Sequence, residues 1–153
     1  MPPETLNKLT GSLTLMRTLF GAFLFGMVAF LTAMVIIIEP GSQQAAINEL
    51  LQLIAPIFMV VSVSTSIFLR KALLAKVHNE TNALKLIQSY TSTRIIQMGL
   101  VDASIIFAIV CYVLTTNTFF VLLAGIGILY FVSLFPLQSK MLRQLKLEYP
   151  AEL

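Results

Sequence analysis

The sequence contains no tryptophan, and only one cysteine and one histidine among its 153 residues. The single cysteine, Cys111, excludes an intrachain disulfide, and with it the disulfide oxidoreductases that work through a cysteine pair. The single histidine, His78, excludes a haem held by two histidines of this chain and a histidine-rich metal cage. We therefore expect neither a cofactor nor a metal.

Charged residues are also scarce. They make up 11% of the chain, while 58% of its residues are hydrophobic and the mean hydropathy is +0.90. An ordinary soluble domain has about 25% charged residues, and a chain this short cannot hide such a surplus of apolar side chains in a core. The composition therefore predicts an integral membrane protein. The net charge of +3 comes from basic residues beside apolar runs and not from a dense basic patch, so we expect no nucleic-acid partner.

Four apolar runs stand out, at residues 19–38, 50–69, 95–115 and 118–137. Each is close to the roughly 20 residues that a helix needs to cross the hydrocarbon core, where backbone hydrogen bonds must be satisfied within the segment. Only a tight turn, Thr115 to Thr118, separates the last two runs, and Pro40-Gly41 marks a turn between the first two. The sequence predicts one all-α membrane domain, residues 1–153, with four transmembrane helices in two antiparallel hairpins.

The basic residues indicate the orientation. All ten precede the first run, lie between the second and third runs, or follow the fourth, and the other two connections have neither lysine nor arginine. Under the positive-inside rule this distribution predicts that both termini are cytoplasmic. We expect the chain in the inner membrane of a bacterium.

Two segments beside the runs, residues 70–94 and the tail 138–153, have amphipathic character. In the first, Leu73, Val77, Leu84 and Ile87 recur at helical spacings, and a turn is predicted at residues 79–82. Such basic segments commonly lie on the anionic lipid of the cytoplasmic face, and docking onto a partner subunit is the alternative. The basic residues expected at this surface are Arg70, Lys71, Lys76, Lys85, Arg94, Lys140, Arg143 and Lys146.

One carboxylate, Asp102, lies inside the third run. It is eight residues after Arg94, or roughly 12 Å further along a helix, at a depth where a charged aspartate costs roughly 2.5–3.5 kcal/mol. The acid must therefore be protonated or meet polar groups.

The second run offers hydroxyl groups at the same depth. We predict that Asp102 faces Ser62, Thr65 and Ser66 inside the bundle or contacts a partner helix, with Ser104 nearby on the third helix. Three roles stay open: a packing contact, a carboxylate that handles a proton or cation, and a polar contact to another subunit. A proton relay needs a second intramembrane acid or histidine, and the runs contain none.

The remaining features indicate packing and not chemistry. Gly21, Phe25, Gly26 and Ala29 in the first run are typical of helix-packing surfaces. The sequence has no glycine-rich phosphate loop, no metal-ligand spacing and no nucleophile elbow. A lone aspartate cannot supply the pair of groups that intramembrane hydrolysis requires, so we expect no enzyme.

The stretch from Ile96 to Pro136, with the closing LRQLKLE, resembles the second half of small four-helix inner-membrane proteins of bacteria. In those proteins the third helix carries an acidic residue before a small-small-apolar stretch, and the fourth ends in a proline followed by a short basic tail. The third helix also resembles, more faintly, the carboxylate helix of rotary ATPase proteolipids. The scattered glycines of this chain, seven in all, argue against a proteolipid.

Two functions are therefore expected. The first is a non-enzymatic structural or accessory subunit of a larger membrane complex, with other membrane subunits as partners. The alternative is a small proton or cation transporter or channel that uses Asp102 within a homo-oligomer.

Overall fold

The computed structural model describes residues 3–38, 45–77 and 83–136 and contains four helices in this part of the chain. They are α1 (Pro3–Ile37), α2 (Ala45–Val77), α3 (Ala83–Thr115) and α4 (Thr118–Ser133). Three of them are long and apolar enough to cross a membrane, over Asn7–Ile37, Ile47–Ala72 and Lys85–Thr115. The predicted all-α architecture is confirmed for the described residues.

The first three helices extend beyond the apolar runs. Helix α1 begins at Pro3, well before residue 19, and α2 continues to Val77. Helix α3 begins at Ala83 and runs unbroken to Thr115, so it includes residues 83–94. The predicted turn at residues 79–82 and the basic tail 138–153 lie outside the described residues.

Helix α4 is shorter than the predicted run 118–137. It has 16 residues, or about 24 Å at 1.5 Å per residue. The helix ends in two hydrogen bonds between residues three apart, where an α-helix has four. The Leu134 amide donates to the Phe131 carbonyl at 2.9 Å, and the Phe135 amide donates to the Val132 carbonyl at 3.1 Å. Pro136 follows, and the residue before a proline is disfavoured in a helix.

A two-residue connection joins α3 to α4. The Asn117 side chain accepts a hydrogen bond from the Phe119 amide at 2.9 Å and caps α4, a typical role for asparagine. Thr116 has φ 53°, a left-handed conformation that reverses the chain. The short turn predicted at Thr115–Thr118 is confirmed.

Helix α3 is the centre of the bundle. It packs against each of the other three helices, whereas α1 and α2 hardly touch each other. Half of its most apolar stretch is buried, against 11% for α1 and 22% for α2. Aromatic rings join α1 to α4: Phe20 stacks on Phe131 with ring centroids 4.9 Å apart.

A second, smaller core joins the extensions of α1 and α3. Leu9, Leu13 and Met16 pack with Ile87 and Tyr90. Within the predicted amphipathic segment, Ile87 and Tyr90 are therefore covered by the first helix of the same chain.

Candidate functional site

Contacts between the helices show which of their residues lie at the same level along the axis of the bundle. Met16 packs in one cluster with Tyr90, and Met27 lines a cavity with Asp102, so Arg17 lies near the level of Arg94.

Helix α2 runs in the opposite direction to α3. The Asn117 amide donates to Asn48 at 2.9 Å, and the rings of Phe58 and Phe107 lie 5.0 Å apart. The same register brings Arg70 and Lys71 to the level of Arg94. Basic residues of α1, α2 and α3 therefore share one level, called the basic level below.

Asp102 lies above the basic level, beside helix α1. It lines a cavity of about 300 Å³ with Ala22, Phe23, Gly26, Met27, Phe30 and Ile106. Asp102 is half-buried, while Gly26 and Ile106 on the rim are exposed, so the cavity opens on the outside of the bundle. We call this feature the α1–α3 groove.

The carboxylate has no polar partner in this groove. All other lining side chains are apolar, and no described residue forms a hydrogen bond or an ion pair with Asp102. The groove thus presents one acid in an apolar setting, open to whatever surrounds the bundle.

The structure does not bring Asp102 to the hydroxyl groups expected beside it. Ser104 is two residues further along α3, and successive residues turn by about 100°, so it lies on another side of the helix. Ser104 lines a separate cavity of about 270 Å³ with Ser64, Tyr130 and residues of α2 and α4. The predicted polar site is therefore divided between two sides of α3.

Two of the buried hydroxyls, those of Ser66 and Ser104, bond within their own helices. The Ser66 hydroxyl donates to the Val63 carbonyl at 2.8 Å, and the Ser104 hydroxyl donates to the Val101 carbonyl at 2.7 Å. Such local bonds satisfy a hydroxyl without a second helix. Ser62 is also buried, whereas Thr65 is exposed, so the three hydroxyls of α2 do not share one surface.

Arg94 differs from the other basic residues predicted at the membrane surface, because its side chain is only 5% exposed. Its Nε donates to the Tyr90 hydroxyl at 3.1 Å and its Nη1 donates to Gln97 Oε1 at 3.0 Å. The guanidinium also lies 5.5 Å from the centre of the Tyr90 ring. Partners one turn away on either side hold this arginine against its own helix, which keeps it inside the bundle.

Among the other predicted surface positions, Lys71 and Lys85 are exposed and Arg70 is half-buried. The side chain of Lys76, together with Lys140, Arg143 and Lys146, lies outside the described residues. Within the described chain, no group of three histidine, cysteine, aspartate or glutamate side chains could hold a metal ion.

The groove residues of α1 were only partly indicated by the sequence. Gly26 belongs to the small-residue surface predicted there, whereas Phe23, Met27 and Phe30 carry no signal that separates them from other apolar residues. Comparisons with protein-family models, with curated proteins and with solved structures return no match for this chain. Its function must be inferred from its own residues and geometry.

Proposed function

We propose that this chain is a non-enzymatic four-helix protein of the bacterial inner membrane, and that it serves as an accessory subunit of a larger membrane complex. The observation that carries the proposal is Asp102, an acid that has no partner among the described residues and lies in an otherwise apolar groove that opens outward from the bundle.

The spacing of the charges supports membrane insertion. Glu49 and Arg70 are 21 residues apart, Arg17 lies 20 residues before the end of α1 at Ile37, and Arg94 lies 21 residues before the end of α3 at Thr115, or about 30 to 32 Å along a helix. This length matches a hydrocarbon core of about 30 Å. Asp102 is the one charged residue inside these three intervals. Basic residues at one level then favour a cytoplasmic location for that end.

Helix α4 supports a fourth crossing despite its length. It contains no charged residue, and after the two-residue turn it runs back along α3. Near its end the Phe135 ring lies 5.2 Å from the ring of Phe20, three residues beyond Arg17. The helix and its final turn therefore reach almost to the basic level, and a small mismatch with the bilayer is tolerated. Four crossings leave both termini on the cytoplasmic side.

The outer surface supports a role as a subunit. The apolar outer faces of α1 and α2 are exposed and can contact lipid or other helices. Because Asp102 has no partner among the described residues, we favour contact with other helices. Acids inside membranes face a bundle interior, water or another polar group. Within the described chain the groove offers no polar group, so the missing contact is assigned to another subunit.

The alternative, a homo-oligomeric transporter or channel, has less support. Among the described residues, Asp102 is the one titratable side chain that lines the groove. A proton relay through these residues would therefore consist of Asp102 alone. This alternative predicts pH-dependent ion flux in proteoliposomes that disappears on Asp102→Asn.

A co-purification experiment tests the proposal. The tagged chain, at native expression, is extracted in a mild detergent, and the co-purifying proteins are identified and quantified by mass spectrometry. We expect an integral membrane protein at a fixed ratio, and the same ratio from an independently tagged partner. Recovery of the chain alone, or only as a homo-oligomer, would contradict the accessory role.

A further inference from the structure

We infer that the α1–α3 groove binds one transmembrane helix of a different subunit, and that this helix places a lysine or arginine beside Asp102. This inference rests on the proposed accessory function and names the chemistry of the partner.

The shape of the groove suits a helix. Ala22 and Gly26 lie one turn apart on its α1 side, and nothing lies within 4 Å of a Cβ built on Gly26. Small residues spaced by four allow the backbones of two membrane helices to approach closely. Ile106 on the α3 side is 40% exposed and supplies an apolar wall that is free for contact.

Charge complementarity decides what the incoming helix carries. Ionisable residues within membranes commonly pair with one another, and Asp102 has no ion-pair partner among the described residues. The eight residues between Arg94 and Asp102 place the acid roughly 12 Å above the basic level. The partner therefore needs its cation about two turns of helix away from its own cytoplasmic boundary.

A second copy of this chain does not meet that requirement. No lysine or arginine occurs in residues 18–38, 50–69, 95–115 or 118–136. A homodimer through this groove would set Asp102 against another Asp102, a hydroxyl or an apolar side chain. The cation must come from a different protein.

Photo-crosslinking in native membranes tests the inference. A benzoylphenylalanine replaces Ile106, the exposed apolar wall of the groove, or, as a matched control, Ile57 of α2, which is 55% exposed. We expect the probe at Ile106 to crosslink to a span with lysine or arginine at the depth of Asp102, and the probe at Ile57 not to reach that span. Crosslinks from Ile106 to a second copy, to lipid alone or to a span without a basic residue would overturn the inference.

The second measurement is the amount of partner protein that co-purifies with substituted variants of this chain. Asp102→Leu, Asp102→Asn and Gly26→Leu should each lower recovery by about tenfold or more, whereas Asp102→Glu and Gly21→Leu should change it by less than about twofold. Exchange of the two charges, Asp102→Lys with the partner's cation changed to aspartate, should restore binding. Wild-type recovery with Asp102→Asn would exclude a cation as the partner group.

The two proposals fail in different ways. If no membrane protein co-purifies with the wild-type chain, the accessory function itself is wrong. If a stoichiometric partner co-purifies but is unaffected by the substitutions at Asp102 and Gly26, the accessory function stands and the groove is not its docking site. Gel filtration of each variant in detergent checks that it remains folded.

Discussion

Near Asp102, helix α3 has two adjoining sides that are packed differently. On one side Ile105 and Ala108 are buried against the other helices, and Gly127 of α4 approaches closely. On the other side, Asp102 and Ile106 line a groove that opens outward. The first side is buried by other described helices, and on the second no described residue covers the acid and Ile106. We call these the finished side and the open side, and the proposed partner helix would occupy the open side.

The largest expected effect comes from the finished side. Phe131→Ala removes a fully buried ring that stacks on Phe20 at 4.9 Å and lies 6.5 Å from Phe23. We expect a loss of about 3 kcal/mol in the free energy of unfolding, the lower end of the range for buried aromatics, because an unfolded chain in lipid also keeps the ring in apolar surroundings.

Phe25→Ala is the matched control, since Phe25 is 76% exposed on α1. It should change the unfolding free energy by less than about 0.5 kcal/mol. Unfolding of both variants by SDS in mixed micelles measures the difference. Equal losses would show that the buried aromatic cluster does not hold α1 to α4.

The two sides of α3 can be compared directly by placing the same residue on each. Ala108→Leu adds volume to a buried position and should destabilise the purified protein by about 1–3 kcal/mol. Asp102→Leu fills open space and removes an acid that has no partner among the described residues, so it should leave the unfolding free energy unchanged or higher. The same SDS titration measures both. A clear destabilisation by Asp102→Leu would mean that the acid has a structural contact within its own chain.

The apolar runs and the short turn could be predicted because these features are local. Runs of about 20 apolar residues and the turn at Thr115–Thr118 depend only on neighbouring residues. The extension of α1 to Pro3 also had a local signal, because Leu9, Leu13 and Met16 follow the helical spacing.

The surroundings of Asp102 depend on which helix lies on which side of α3, and no local pattern contains that information. The sequence spacing did indicate part of this result. Asp102 and Ser104 are two residues apart and cannot share one face of a helix, so helix geometry excludes a single site that contains both side chains. The burial of Arg94 was also missed, because a basic residue beside an apolar run indicates the membrane boundary and does not reveal whether its side chain folds back on its own helix.

Two glycines give the finest comparison of the finished and open sides. A Cβ on Gly127 would lie 2.6 Å from Ile105 Cγ1 and 3.0 Å from Met59 Cε, whereas a Cβ on Gly26 meets nothing within 4 Å.

Alanine favours a helix over glycine by about 1 kcal/mol at either position, but at Gly127 the clash with the stiff, β-branched Ile105 adds about 1–3 kcal/mol of strain. We therefore expect Gly127→Ala to lower the unfolding free energy by about 1 kcal/mol and Gly26→Ala to raise it by a similar amount, both measured in mixed micelles. If the two alanine variants behaved alike, α4 would not approach α3 as closely as the structure describes, and the contrast between the two sides would rest on the groove alone.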